Sequence, residues 1–447
     1  MIRSATGAAP PEARVAVCEH EGQQLDGWHQ CELGRHIGFS TTALESYAFS
    51  SWEPVVGDAM LVAASVEFAD LSRRRPSHGW ARRLSLRIPV DDPFRWERPA
   101  VKEALLEALR FVTGDHWSVD FFQRERSIQE PQGDRFALFP PSRAVLAYSE
   151  GMDSLAVAGL AKACLGEEVV RVRLGRRPRA MSRNGEPFVS IPYRVRVPRR
   201  SEASAMSRGF KFATTAGIAA YLTRANRVIV PESGQGSLGP PLVTVGHAYP
   251  DYRNHPEFMY RMERFLEAVF EQPIRYHFPR LWHTKGETLA GFVAIDDERW
   301  RSTKSCWKDN RWSSVRGSWR HCGVCAACML RRVSVHAAGL TEDPETYICT
   351  DMNASTLETA VDPDFNHPNG AYRDYAIAGT RHMADLAAMA GGDVRPTVRR
   401  HAKSLGRVIA GIEDIEGRMV RLLERHSDEW RDFLNSLGPT SFVKHWV

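Results

Sequence analysis

The alternation of hydrophobic and polar positions divides the chain into three parts. In the first part, residues 1–140, the segment 82–90 (RRLSLRIPV) alternates polar and apolar residues, which predicts a half-buried strand. Residues 99–115 begin with proline and place apolar residues at helical spacing, and the WSVDFF that follows returns to an extended pattern. We therefore expect an α+β amino-terminal module, in which no motif indicates a role.

The second part, residues 141–340, alternates between short apolar runs and longer segments with apolar residues at helical spacing. The predicted strands are residues 144–148, 167–174, 227–231 and 273–278, and the predicted helices are residues 152–165, 209–226 and 255–270. Alternation of strand and helix favours an α/β fold, a parallel sheet with helices on both faces. Ligands of such sheets bind beyond the carboxyl ends of the strands.

Two further segments differ in composition from the rest. An arginine-rich insert at residues 171–200 is predicted to be a solvated hairpin, because runs of charge are usually solvated faces. A surface for an acidic or phosphorylated partner is the alternative. Residues 341–447, the third part, repeat apolar positions at intervals of three and four, which predicts a helical carboxyl-terminal extension.

Bulk composition narrows the class of protein. The length of 447 residues suggests two or three domains, and a net charge of +5 is too small to indicate a nucleic-acid partner. The chain has no apolar run of about 18 residues, and its Ala/Pro-rich start lacks the apolar core of a signal peptide. We expect a cytoplasmic protein that does not bind a membrane.

Half of the eight cysteines are clustered: Cys306, Cys322, Cys325 and Cys328. The last three have C-x₂-C-x₂-C spacing, and the upstream cysteine can complete a tetrahedron, which suits structural Zn²⁺. An iron–sulfur cluster uses similar spacing and is the rival interpretation. His321 is an alternative ligand, although the neighbouring Cys322 is the better thiolate. The scattered cysteines are predicted to be free thiols: Cys18, Cys31, Cys164 and Cys349.

Residues 149–154 (SEGMDS) leave the first predicted strand of the second part and enter a predicted helix. The first-turn N–H groups of a helix have no partner within it, and the helix dipole adds partial positive charge, so anions bind at such ends. The hydroxyls of Ser149 and Ser154 can also donate to phosphate oxygens. A serine-capped helix start without a ligand is the alternative, since short loop motifs recur by chance.

The loop resembles the S-G-G-x-D-S pyrophosphate loop of the PP-loop ATPases, which cleave ATP between the α and β phosphates and adenylate an acid or carbonyl. Glu150 departs from the pattern. A glutamate is strained there if the position needs positive φ, and its carboxylate would repel pyrophosphate; it can instead point away, help to hold Mg²⁺ or touch the substrate. The resemblance assigns ATP binding to Ser149, Glu150, Gly151, Met152, Asp153 and Ser154.

Three further segments follow the loop at residues 149–154 along the chain. They are Tyr249-Pro250-Asp251-Tyr252-Arg253, Thr284-Lys285-Gly286-Glu287 and Ser305-Cys306-Trp307. They resemble the G-Y-P-D-C-R, T-K-x-E and S-C-Y segments of the QueC, or 7-cyano-7-deazaguanine synthase, family. Residues 208–221 are more distantly similar to the G-R-N helix start of that family. The resemblance covers roughly residues 142–340, and Tyr252 departs from the family's cysteine.

The resemblance implies a PP-loop fold and ATP-dependent activation of 7-carboxy-7-deazaguanine as an acyl-adenylate, by a C–N ligase or synthase that uses Mg²⁺ and structural zinc. Asp153 and Lys285 would be catalytic. The residues that would bind the substrate are Tyr249, Asp251, Arg253 and Arg208. Lys285 and Arg253 can equally be ordinary surface charges.

The long flanking parts resemble the enlarged QueC-like proteins of the QatC type, found in the Qat antiphage defence systems. The acceptor of the adenylate would then be an amine on a partner protein from the same operon. Two other interpretations stay open: a stand-alone synthase that uses ammonia and forms the nitrile, and a degenerate scaffold that binds nucleotide without chemistry.

Overall fold

A computed structural model of the chain describes residues 12–23, 25–39, 53–76, 79–126, 144–166, 169–173, 191–202, 205–244, 249–295, 298–307, 313–365 and 370–447. The first part contains the strands β1 (Glu12–Cys18), β2 (His29–Glu32), β3 (Ile37–Phe39), β4 (Arg83–Val90) and β5 (His116–Gln123). Its helices are α1 (Pro54–Ser72), α2 (Pro93–Glu97) and α3 (Pro99–Thr113).

Four of these strands form one sheet in the order β2–β1–β4–β5, and every neighbouring pair is parallel. The strand predicted at residues 82–90, the helix predicted at 99–115 and the extended segment after it are all confirmed. The parallel pairing gives the described residues of the first part the same layered construction of helices on a sheet as the second part.

The second part contains β6 (Ala144–Tyr148), β7 (Val169–Arg173), β8 (Tyr193–Val195), β9 (Arg227–Ile229) and β10 (Arg275–His277). Its helices are α4 (Met152–Leu165), α5 (Arg208–Leu222), α6 (Gly234–Leu242), α7 (Pro256–Phe270) and α8 (Lys285–Val293). The predicted strands and helices are confirmed to within a few residues. The pattern predicted neither α6 nor α8, and the α6 sequence GQGSLGPPL is rich in residues that disfavour helices.

The sheet of the second part is parallel and has the order β10–β9–β6–β7. The chain passes from β6 to β7 on one side and then returns to β9 on the other, so the topological switch point lies between β6 and β9. The mixed α/β fold of parallel sheets with helices on both sides is thus confirmed. Most of the arginine-rich insert, residues 174–190, lies outside the described residues, and its hairpin stays a prediction.

The hydrophobic core continues from the first part into the second. One cluster of buried side chains includes Val62 and Leu86 of the first part together with Val145, Phe210 and Phe265 of the second. In addition, β3 pairs with β8 in an antiparallel arrangement. The two parts therefore pack as one body, while the predicted boundaries at residues 140 and 340 stay predictions.

The remaining elements are the short antiparallel strands β11 (Ser314–Val315) and β12 (Ser318–Trp319) and the helices α9 (Ala326–Ala337), α10 (Leu357–Ala360), α11 (Gly370–Ala388), α12 (Arg395–Leu405) and α13 (Ile415–Ser436). The helical character predicted for the carboxyl-terminal part is confirmed. The helices α11 and α13 pack against each other and against α9. Within the described part of the chain, no helix combines the length and the apolar character needed to cross a membrane.

Candidate active site and metal centre

The switch point of the second sheet brings two loops side by side. Residues 149–151 connect β6 to α4, and residues 230–233 connect β9 to α6. Because ligands of parallel sheets bind in the crevice where the strand order reverses, this crevice is the candidate active site.

The loop before α4 has the construction of an anion site. Ser149 Oγ lies 2.8 Å from Ser154 Oγ and accepts a hydrogen bond from Gly151 N at 3.2 Å. Gly151 is the N-cap residue of α4 in an extended conformation, and no side chain caps this helix. The N–H groups of its first turn are therefore available to an anionic ligand.

Glu150 fits the backbone of this loop. Among the described residues, the non-glycine residues with positive φ are Arg224, Glu271, Arg316 and Asp414, so Glu150 does not carry the strain of a glutamate held at positive φ. Its carboxylate lies 3.0 Å from Lys304 Nζ and 3.7 Å from an Arg173 nitrogen. These cations offset its negative charge, which removes part of the repulsion toward a bound phosphate.

The two residues predicted to be catalytic lie together, although they are far apart in the sequence. Lys285 Nζ donates to Asp153 Oδ2 in an ion pair that is nearly inaccessible to solvent. Asp153 stands in the first turn of α4, and Lys285 is the first residue of α8. The second oxygen of Asp153, Oδ1, is buried without a hydrogen-bond partner.

Glu232, which the sequence analysis did not single out, completes this cluster. Burial and the neighbouring Asp153 carboxylate raise the pKa of Glu232 to about 8, while the Lys285 cation opposes the change. Glu232 Oε2 accepts a hydrogen bond from Asn254 Nδ2 at 3.0 Å, and Oε1 lies where a Cβ on Gly236 would come within 2.1 Å. The sequence signal that could have identified Glu232 is its position directly after the predicted strand 227–231, where the ligands of parallel sheets bind.

The acidic cluster has the chemistry of a Mg²⁺ site. Asp153 and Glu232 offer hard carboxylate oxygens, the ligands that Mg²⁺ prefers. Oδ1 of Asp153 is buried without a hydrogen-bond partner, and the Asp153 carboxylate helps to raise the pKa of Glu232, so a divalent cation would satisfy the oxygen and offset the repulsion between the two carboxylates. The residues present therefore fit this ion.

The residues predicted to bind substrate lie beside the crevice. Arg253 Nε donates to both oxygens of Asp251, at 2.8 and 3.0 Å. Burial and the adjacent Arg253 cation lower the pKa of Arg208 at the start of α5. The preceding Ser207 donates its N–H to Asp70 at 2.9 Å, which holds the start of α5 against the first part. Two neighbouring guanidinium groups favour an anionic ligand.

Tyr249 is placed differently from the other predicted substrate residues. Its hydroxyl donates to the main-chain oxygen of Phe111 at 2.6 Å, and its ring stacks on Trp80 at 5.6 Å. Tyr252, which replaces the family's cysteine, packs on Phe111 at 4.5 Å and on His255 at 5.4 Å. Both tyrosines therefore anchor residues 249–253 to neighbouring elements, and the first part supplies Phe111 and Trp80 to that packing.

The four clustered cysteines form a compact metal-binding group. Their sulfur atoms all lie within 4.8 Å of one another, and those of Cys322 and Cys328 are 3.8 Å apart. Four sulfurs at ~2.3 Å from one tetrahedral ion stand about 3.8 Å apart, so the group fits a single ion such as zinc. His321 instead accepts a hydrogen bond from Ser305 N at 3.1 Å. The four scattered cysteines are free thiols, as predicted.

Helix α13 of the carboxyl-terminal part supports the start of α8. Gln235 Oε1 accepts from Lys285 N at 2.6 Å, and Gln235 Nε2 lies 2.8 Å from His426 Nδ1. His426 Nε2 lies 3.1 Å from the main-chain oxygen of Met383, so Nε2 carries the proton and Nδ1 accepts from Gln235. Thr284 Oγ1 donates to Glu429. The third part thereby fixes the helix end that carries Lys285.

Comparison with known proteins supports the resemblance over part of the chain. Residues 243–339 match the family model described as queuosine biosynthesis protein QueC. This segment is QueC-like. Over 108 residues the chain is 31% identical to a 7-cyano-7-deazaguanine synthase from Methanococcus maripaludis, and the alignment covers 23% of this chain and 42% of that synthase. The QueC-like segment contains the Tyr249, Lys285 and cysteine motifs, whereas the loop at residues 149–154 lies before it.

Proposed function

We propose that the protein uses ATP to activate 7-carboxy-7-deazaguanine, or a similar acid, as an acyl-adenylate and transfers the acyl group to an amine. The observation that carries the proposal is the cluster of the buried Asp153 and Lys285 with the half-buried Glu232, beside the uncapped end of α4. The QueC-like segment and its synthase relative support the choice of substrate and of an ATP-dependent C–N synthase.

Each group of the crevice has a task in this reaction. The first-turn N–H groups of α4 and the Ser149 hydroxyl bind the β and γ phosphates. Lys285 exchanges its contact with Asp153 for a phosphate oxygen and stabilises the charge that develops there. Arg208 and Arg253 orient the acid, whose carboxylate oxygen attacks the α phosphorus as the bond to pyrophosphate breaks. Asp153 and Glu232 would hold Mg²⁺, which neutralises phosphate charge when bound.

The acceptor in this proposal is an amine on a partner protein, in an antiphage defence system of the cytoplasm. The first and third parts lie outside the QueC-like segment, and in this proposal they bind the partner protein. Ammonia as the acceptor, as in a stand-alone 7-cyano-7-deazaguanine synthase, is the second candidate and is favoured by the name of the synthase relative.

The test of activation is the exchange of labelled pyrophosphate into ATP in the presence of the acid. We expect exchange with the wild type and a loss of about 100-fold or more in Asp153→Asn, the size of effect seen when a preorganised charge is removed. Asp120→Asn, on an exposed side chain, is the matched control. If the folded protein shows no pyrophosphate exchange with any acid tested, the result would support the nucleotide-binding scaffold instead.

The acceptor is tested separately by intact-mass spectrometry. Proteins encoded beside this chain are expressed with and without it. A mass increase on a neighbour that requires Asp153 supports a protein acceptor. Formation of the nitrile from ammonium alone supports the stand-alone synthase.

A further inference from the structure

Residues 303–306 run between the candidate ATP loop and the metal centre. On the metal side, Cys306 Sγ accepts a hydrogen bond from the main-chain nitrogen of Cys322 at 3.3 Å. Arg331 Nη1 donates to Thr303 Oγ1 at 2.7 Å and to Thr303 O at 3.1 Å. Arg331 lies on α9, which also carries Cys328. The segment thus ends in one member of the four-cysteine group and is bonded at its other end to the helix that carries a second member.

On the other side, the same segment contacts the ATP loop through Lys304, which stands two positions before the metal ligand Cys306. Lys304 N donates to Glu150 O at 2.7 Å, and Lys304 Nζ lies 3.0 Å from Glu150 Oε2. The main-chain oxygen of Lys304 lies 3.8 Å from the position that a Cβ on Gly151 would take. Glu150 therefore receives a main-chain and a side-chain contact from one residue of the metal-bearing segment.

We propose that Glu150 and Lys304 couple metal binding at the four cysteines to the conformation of the ATP loop, so that metal loading orders residues 149–154. The inference rests on the proposed function only in calling this loop the ATP site. A bound ion fixes the Cys306 sulfur in a tetrahedron, and Lys304 is close enough along the chain to be fixed with it. Glu150 is then a positioning residue, recruited to hold the loop.

The expected size of the effect follows from the two contacts between Lys304 and Glu150. The ion pair is partly exposed, with 31% of the Glu150 side chain and 52% of the Lys304 side chain accessible, so its loss should change loop opening by about threefold. The main-chain hydrogen bond adds a comparable factor, and together they give about tenfold. Substitution of either side chain removes the first contact and leaves the second.

The experiment is hydrogen–deuterium exchange of the full chain, zinc-loaded and chelator-treated, without nucleotide. We expect zinc to slow hydrogen–deuterium exchange in residues 149–154 about tenfold. Exchange in control peptides from β4 and from β5 should not change. If neither the loop nor the control peptides differ in hydrogen–deuterium exchange between the zinc-loaded and the chelator-treated chain, the proposal is overturned. If the control peptides also lose protection, the variants of the zinc-loaded protein decide the question.

Those variants form a double-mutant cycle of Glu150→Gln and Lys304→Gln in the zinc-loaded protein. Each single variant should speed loop exchange about threefold, and the double variant should equal either single one. Glu97→Gln, from the ion pair with Lys102 at 2.7 Å, is the control and should leave the loop unchanged. Single effects that are absent, or that multiply in the double variant, refute the coupling.

Failure of this inference is distinguishable from failure of the proposed function. Zinc-dependent ordering of the loop without pyrophosphate exchange retains the coupling and rejects the acid-activating enzyme. Pyrophosphate exchange in a protein whose loop protection does not change with zinc rejects the coupling and retains the acid-activating enzyme.

Discussion

Glu232→Gln is expected to stabilise the ligand-free protein at alkaline pH and to abolish its response to Mg²⁺. In the folded protein, burial and the Asp153 carboxylate hold the pKa of Glu232 at about 8, against 4.5 for an ordinary glutamate. The folded state therefore binds this proton more tightly than the unfolded state does. The resulting contribution to stability is complete below pH 4.5 and is lost as the pH rises through about 8.

The magnitude follows from this difference in pKa. One pKa unit corresponds to ~1.4 kcal/mol, so the whole difference amounts to about 5 kcal/mol. Glu232 is only half-buried and Lys285 lies beside it, so solvent and the lysine reduce the cost of the charge. We expect less than half of the total, about 2 kcal/mol. The neutral glutamine avoids this cost, so the variant should nearly equal the wild type at about pH 4 and exceed it by about 2 kcal/mol at about pH 9.

The assay is urea denaturation at both pH values, with and without Mg²⁺. Mg²⁺ should raise the unfolding free energy of the wild type at pH 9 and leave Glu232→Gln unchanged, because the variant lacks one of the two carboxylates. Glu267→Gln, from an exposed ion pair with Arg275, is the control and should change by less than about 0.5 kcal/mol at either pH. A stability difference independent of pH would refute the account of the acidic cluster.

The remaining predictions concern the metal centre and the support of Lys285. The chain should bind about one zinc ion, measured by elemental analysis, and Cys322→Ser should lose the metal while Cys164→Ser, on an exposed thiol, retains it. Gln235→Leu removes the buried acceptor of the Lys285 N–H and should lower the unfolding free energy by about 3 kcal/mol; Gln272→Leu, which loses one long hydrogen bond, should cost less than about 1 kcal/mol. Lys285→Met should reduce pyrophosphate exchange by about 100-fold, and an unchanged rate would remove the lysine from the mechanism.

The sequence determined the elements whose signals are local. The run AVLAY and the segment MDSLAVAGLAKACL predicted β6 and α4 with the bounds that the structure has, because a buried strand and an apolar helix each carry their own periodicity. The cysteine spacing predicted the metal-binding group for a similar reason, since C-x₂-C-x₂-C turns its sulfurs toward one point within a few residues.

The tertiary structure decided which side chains meet. Asp153 and Lys285 were predicted to be catalytic, but their ion pair follows only from the neighbouring positions of α4 and α8. Glu232 joined them because β9 lies beside β6, a neighbourhood that no local pattern specifies. The same holds for helix α13, which reaches the start of α8 from the far end of the chain.

Glu150 shows most clearly the difference between what local sequence predicts and what the tertiary structure decides. Its sequence position indicated a defect in a phosphate loop, because glycine is the residue of the resembled motif. Its φ and its partners Lys304 and Arg173 are properties of the folded chain, set by the strand β7 and the metal-bearing segment that pack around it. Local sequence specifies periodicity and spacing, so it predicted most strands and helices and the candidate residues of the crevice. The charge balance of the crevice depends on long-range packing, so only the tertiary structure decided it.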